Sequence, residues 1–354
     1  MKDTSLAPAA VPRTGATGGR RRVGLPGGGE MVVRPVARDD VDGLVDLYRD
    51  LSDDDRYRRF FSYYDPGRDF LERAAAVESR GGYGLVAVEV PPGAGGHGGR
   101  PGKEGGRIVG DASYELLADG DGELGMVVAG DRRGWLGPYL LDALLEAAAE
   151  RGVPNLEADV LVTNGRMLTL LRSRGYATLP SDDWVTVRLI VGTAGRTPVW
   201  PEADDGPEQE PRLRILVEAP GGRWHAGDEA AKAGLRVVTC SGPRGPRSRC
   251  PALAGRPCPL ATGADAIVVS HPPDDERWRA LVDAHGDVHP GVPVCVEPRP
   301  GRTTAEGPDP PHVVSLVQRR AIAHRRAQRG PSPLEAACAK DDAGPGVIPD
   351  EGGR

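Results

Sequence analysis

Between Glu123 and Leu145 an apolar strand pattern runs into a turn rich in glycine and arginine, which opens directly into a long helical pattern. No other stretch constrains the fold as much, because a strand that hands over to a helix within a few residues belongs to a layered α/β arrangement. The turn contains Arg132-Arg133-Gly134-Trp135-Leu136-Gly137, and beyond it Leu140, Leu141, Leu144, Leu145 and Ala148 share one stripe of the helix. Pro138 fits the first helical turn, where a missing N–H costs nothing. Such a helix start presents unpaired N–H groups and the positive end of the helix dipole, and both favour a phosphate or pyrophosphate. Arg132 and Arg133 add charge suited to a polyanion.

The surrounding pattern has the same α/β character. Strands are expected at Met31–Val36, Tyr83–Val90, Arg107–Leu116, Glu123–Ala129, Leu156–Val162 and Trp184–Val191. Helices are expected after Asp39-Asp40, after Ser52 in a capping-box layout, over Asp69–Val77 and over Gly165–Arg174. Beyond a proline-rich acidic stretch, strands at Leu213–Glu218, Leu235–Thr239, Asp265–Ser270 and Val292–Glu297 alternate with helices at Ala226–Ala233, Asp275–Ala284 and Val314–Arg326. This rhythm predicts a small, mostly parallel second α/β domain. The expected division is a leader without structure over 1–30, a first domain over 31–194, a linker over 195–211, the second domain over 212–326 and a tail over 327–354. The 50 glycines and 34 prolines among 354 residues place much of the length in loops and linkers, notably Pro91–Gly106.

The formal net charge of -6 argues against a nucleic-acid binder. No apolar run approaches the ~18 residues of a membrane helix, and the N-terminus lacks a signal-peptide core, so the expectation is a cytoplasmic protein that binds neither nucleic acid nor membrane. Five cysteines in a chain this long do not make a disulfide scaffold.

The order of elements in residues 31–192 resembles the GNAT (Gcn5-related) N-acetyltransferase fold, a mixed, splayed sheet flanked by helices. Arg34-Pro35 after the first strand looks like the common start of that family. Ser52-Asp53-Asp54-Asp55-Arg56-Tyr57-Arg58-Arg59-Phe60-Phe61 is similar to a segment of bacterial protein-lysine acetyltransferases of the Pat type. Asn164-Gly165-Arg166-Met167-Leu168 followed by Arg174-Gly175-Tyr176 matches the family's late helix and its Gly-aromatic ending. The resemblance implies acetyl-CoA as acyl donor and an amine acceptor, a protein lysine or a small molecule. It also implies backbone contacts from Val127, Val128 and Ala129 to the pantetheine arm, pyrophosphate binding by Arg132, Arg133, Gly134, Trp135 and Gly137, and a contact from Asn164. Where the family turn has a further glycine this chain has Trp135, so either Trp135 replaces it or the turn is one residue shorter and Gly134 serves.

Pat-type enzymes carry a glutamate at the position of Glu123, and the chemistry asks for one. An alkylammonium with a pKa near 10 must lose a proton before it attacks a thioester, and a carboxylate on the strand beside the turn can take it. The tyrosine that many members use as general acid is matched by Leu171, leaving Tyr57 and Tyr139 as substitutes. A non-enzymatic acyl-CoA sensor acting through the second domain is the alternative, favoured by Trp135.

All five cysteines lie beyond residue 211. Cys240, Cys250 and Cys258, with His271, have the ligand types of a zinc site, though not the spacing of paired knuckles. The second domain shows no phosphorylatable aspartate and no dinucleotide fingerprint, since the prolines of Gly242-Pro243-Arg244-Gly245-Pro246 remove needed N–H groups. It is read as a regulatory or docking module.

Overall fold

The computed structural model describes residues 20–25, 29–91, 106–172, 174–179, 185–194, 198–201, 212–219, 224–242, 250–271, 276–298 and 310–329. The chain divides into two compact units, Met1–Pro211 and Arg212–Arg354.

In the first unit the strands are β1 (Arg21–Gly24), β2 (Glu30–Pro35), β3 (Tyr83–Val90), β4 (Arg107–Leu116), β5 (Gly122–Val128), β6 (Asn155–Leu161), β7 (Tyr176–Leu179) and β8 (Thr186–Gly192). They lie in the order β1-β2-β3-β4-β5-β6-β8-β7. Neighbours pair antiparallel except β5 and β6, which run parallel. That exception positions the site. β5 and β6 share only two register pairs, Gly122 with Leu156 and Glu123 with Glu157, and then part. The α/β class and the mixed, splayed sheet expected from the sequence are what the chain adopts.

Helices cover both faces. On one lie α1 (Val41–Arg49), α2 (Asp53–Phe60) and α3 (Arg68–Ala75); on the other lies α4 (Leu136–Glu150), and α5 (Gly165–Arg172) follows β6. The apolar stripe of α4 is the reason it docks: Leu136, Leu140, Leu141, Leu144, Leu145 and Ala148 are all buried in the core. From the opposite face Leu44, Leu47 and Tyr48 of α1 enter the same core. At the end of β2, Arg34 donates two 2.7 Å hydrogen bonds to Asp40, with side chains only 10% and 5% exposed. Asp40 also accepts from the Ala37 N–H at 2.8 Å, so this buried pair fixes the entry into α1.

Three expectations need correction. Part of the supposed leader is strand β1, because Val23 packs on the core while Arg21 and Arg22 pair with Glu146 and Glu30. Part of the supposed linker is anchored: the Val199 N–H donates to the Asn155 side-chain Oδ1, Asn155 Nδ2 donates back to the Val199 carbonyl, and Trp200 is buried. A short strand, β7, follows Gly175 where only the end of a helix was foreseen. Most of the Pro91–Gly106 excursion lies outside the described residues.

The second unit contains β9 (Arg214–Glu218), β10 (Arg236–Cys240), β11 (Ala266–His271) and β12 (Val294–Pro298) in the order β10-β9-β11-β12, every pair parallel. Helices α6 (Gly227–Lys232), α7 (Pro259–Thr262), α8 (Glu276–Val288) and α9 (Pro310–Arg329) connect or follow them. Helix α9 runs to Arg329, past the point where the tail was placed. Ile215, Val217, Val237, Val268 and Val317 anchor a separate core, as expected of buried parallel strands.

Candidate active site

The gap that opens between β5 and β6 is a cavity of about 1030 Å3. Its walls are Leu124–Val128 of β5 and Ala158–Val160 of β6. Its rim is formed by Gly130, Arg133, Gly134, Gly137 and Pro138 of the turn, by Asn164, Gly165 and Arg166 at the start of α5, and by Asp55, Arg58 and Arg59 of α2. A parting pair of strands has a direct chemical consequence. The ladder from β5 to β4 continues through Val128, and the Ala129 N–H donates to Val109 at 2.9 Å. By strand alternation, Met126 and Val128 therefore turn their backbone groups toward the gap, where no strand among the described residues answers them.

The turn after β5 ends in a helix start with free donors. Helix α4 has no side-chain cap and no acidic residue in its first turn, which leaves early N–H groups and the dipole at the cavity rim. Gly134 carries the chain around at φ +107°, a conformation that L side chains rarely adopt. Trp135, in contrast, has an ordinary helical conformation, packs edge-on against Tyr139 at 6.1 Å, and is absent from the cavity wall. Gly125 has a different reason to be glycine: a Cβ there would stand 2.4 Å from the Arg59 guanidinium.

The expected site residues separate into two groups. Val127, Val128, Arg133, Gly134, Gly137 and Asn164 line the cavity. Glu123, Ala129, Arg132 and Trp135 do not. Glu123 stands one residue before the wall begins, exposed on β5, with its side chain on the same face as Gly125. The Ala129 backbone is engaged on both sides, its N–H with Val109 and its carbonyl with the Arg132 N–H. Arg132 is held away by Glu89, to which it donates at 2.7 and 3.0 Å. Arg133 is ion-paired with Asp55. Asn164 caps α5, its Oδ1 accepting from the Met167 N–H at 3.2 Å.

Sequence reasoning missed Asp55, Arg58, Arg59, Asp159 and Arg166 as lining residues. The signal was partly there, since three of them lie in the Ser52–Phe61 segment already singled out. Ser52 caps α2 as the capping-box layout predicts, accepting from the Asp55 N–H at 3.2 Å, and this sets Asp55 at the cavity rim. Of the substitute acids, Tyr57 stacks on Tyr63 and Tyr139 on Trp135, and neither lines the cavity.

Among the described residues Cys240, Cys250 and Cys258 form no group with metal-ligand spacing, and the side chain of His271, the fourth suggested zinc ligand, lies outside the described residues. None of Cys240, Cys250 and Cys258 is in a disulfide, and burial pushes all three thiols up, Cys258 to about 11. His271 ends β11. Near Cys240, the buried His285 and Glu218 side chains meet at 3.4 Å.

No protein-family model matches the chain. Solved structures to which it is similar include the GNAT domain of S. lividans PAT, at 25% identity, covering 51% of this chain and 99% of that one, with a TM-score of 0.41. Another is a ribosomal-protein-alanine N-acetyltransferase from Brucella melitensis, at 23% identity, 45% and 96% coverage and a TM-score of 0.33. A third is a GNAT-superfamily phosphinothricin acetyltransferase from Sinorhizobium meliloti in complex with AcCoA, at 15% identity, 50% and 97% coverage and a TM-score of 0.36.

Proposed function

We propose that the chain is an acetyl-CoA-dependent N-acetyltransferase whose acceptor is an amine, a protein lysine in the first instance. The observation that carries this reading is the cavity between the parted strands, with an uncapped helix start at one end and unanswered backbone groups along its wall. An acyl-pantetheine arm is an amide-bearing chain that can complete the interrupted ladder by pairing with Met126 and Val128. A pyrophosphate suits the N–H groups around Gly134–Gly137. Arg166, which forms no ion pair among the described residues, and Arg133, once it exchanges Asp55 for phosphate, supply the countercharge. Backbone N–H groups on the β5 edge are then placed to stabilise the oxyanion that forms on the thioester carbonyl.

The acceptor enters from the α2 side, where Asp55, Arg58 and Asp159 border the cavity. Glu123 takes the ammonium proton through water, since its side chain stands outside the wall. The sensor alternative turns on Trp135, and the packing of that ring against Tyr139, outside the cavity wall, favours the enzyme. On this reading the second unit is a regulatory or docking module. The test is release of CoA thiol with a panel of lysine peptides and small amines, comparing wild type with Glu123→Gln. Expected is turnover by wild type and a loss of roughly 10²–10⁴-fold in kcat for the variant, with acetyl-CoA affinity retained. Wild type that binds acetyl-CoA but acetylates nothing would overturn the reading.

A further inference from the structure

The last register pair before β5 and β6 part is Glu123 opposite Glu157. Register partners on adjacent strands present their side chains on the same face, and two residues further on that face carries Gly125 and Asp159, both in the cavity wall. The two glutamates are therefore neighbours at the vertex of the cleft, Glu123 exposed and Glu157 with its carboxylate within 4.8 Å of those of Asp119 and Asp121. We propose that Glu157 is the carboxylate on which the acceptor's proton comes to rest, with Glu123 beside it as the group nearer solvent. This inference rests on the acetyl-transfer reading and assigns that site a residue the sequence did not point to.

The environment of Glu157 suits that task. Facing it are Asp119 and Asp121 from the turn between β4 and β5, Glu123 on β5, Asp159 on β6 and Arg188 on β8. Glu115 on β4 is the register partner of Glu123. The cations nearby are engaged elsewhere: Arg188 donates to Asp159 at 3.2 and 3.3 Å, and Arg80 to Glu115 at 2.7 Å. Asn155 donates to both oxygens of the buried Asp121, at 3.1 and 3.0 Å. Glu157 itself has no ion pair or hydrogen bond of its side chain among the described residues. It is half-buried among like charges, and burial, with Asp119 and Asp121, pushes its carboxyl up to about 7. A base of that strength is part ionised at neutral pH and holds a proton once it has one.

The proton balance follows. The alkylammonium gives one proton, through water and the Glu123 carboxylate, to the Glu157 carboxylate, which becomes a carboxylic acid. The freed nitrogen lone pair forms the N–C bond to the thioester carbonyl carbon. The C–S bond breaks with its electron pair going to sulfur, and the second nitrogen proton passes to that thiolate. Glu157 returns its proton to solvent between turnovers.

The experiment measures kcat against pH from 5 to 9 for the full chain with acetyl-CoA and a lysine peptide, in wild type, Glu157→Gln, Glu157→Asp and Glu123→Gln, alongside acetyl-CoA binding for each. Wild type is expected to lose activity below an apparent pKa near 7. Glu157→Gln is expected to fall by 10²-fold or more and to lose that limb, while Glu157→Asp keeps a limb at a shifted pH and acetyl-CoA affinity stays within about twofold throughout. Unchanged kcat and an unchanged limb in Glu157→Gln, with both lost in Glu123→Gln, would overturn the assignment and leave the acetyltransferase reading standing. Loss of acetyl-CoA binding in Glu157→Gln would also overturn it, by making the residue part of the scaffold. No turnover in wild type would remove the reading on which the assignment rests.

Discussion

Glu157 sits where burial and like charge act together, and that makes its cost to the fold measurable apart from any chemistry. Its carboxyl is raised from the usual 4.5 to about 7, so the folded chain holds a proton that the unfolded chain has released. The stability this contributes is complete below about 4.5 and is lost as pH rises through about 7. Replacing the group with an uncharged amide should therefore raise the melting temperature at pH 8 and make little difference at pH 5. Melting curves of wild type and Glu157→Gln at the two pH values check this; equal curves at pH 8 would mean the carboxyl is not raised. Residue by residue, legibility in the sequence followed locality. Ser52 as a cap for Asp55, Pro138 in the first turn of α4 and Gly134 as one of two candidates for the turn were all readable, because each depends on neighbours within a few positions. Glu157 was not, because its neighbours arrive from a turn and two other strands.

At the scale of elements, a two-residue parallel pairing between otherwise antiparallel strands creates the cleft, and the turn after β5 closes one end of it. Gly134 is the hinge of that arrangement at φ +107°. A Cβ there would meet nothing within 4 Å, so Gly134→Ala isolates backbone strain from crowding. The strain is about 1–3 kcal/mol, and acetyl-CoA affinity should fall roughly tenfold or more at 1.4 kcal/mol per factor of ten. Calorimetric titration of the variant, with circular dichroism to confirm the fold, reads this; unchanged affinity would place the pyrophosphate elsewhere. Helices with clear apolar stripes and strands with continuous apolar runs were legible, Tyr83–Val90 and Arg107–Leu116 to the residue. Strand β1 was not, since two of its four residues are arginines and its partners, Glu30 and Glu146, are supplied by tertiary structure. Strand β7, at four residues, is too short to show a period.

Across the whole molecule, two compact units each bury a core of their own, and no helix among the described residues is long and apolar enough to cross a membrane. A mostly parallel sheet in the second unit was legible from its alternation of apolar runs and helices, and the described strands pair parallel throughout. Its chemistry was not: the cysteines that suggest a metal site by residue type form no group with metal-ligand spacing among the described residues. The central claim belongs to the first unit, that the cleft between β5 and β6 holds acetyl-CoA. Isothermal titration of acetyl-CoA into the full chain tests it most directly. One molecule bound per chain, displaced by free CoA and weakened by Gly134→Ala, is the predicted result; no heat of binding at millimolar acetyl-CoA would contradict the account.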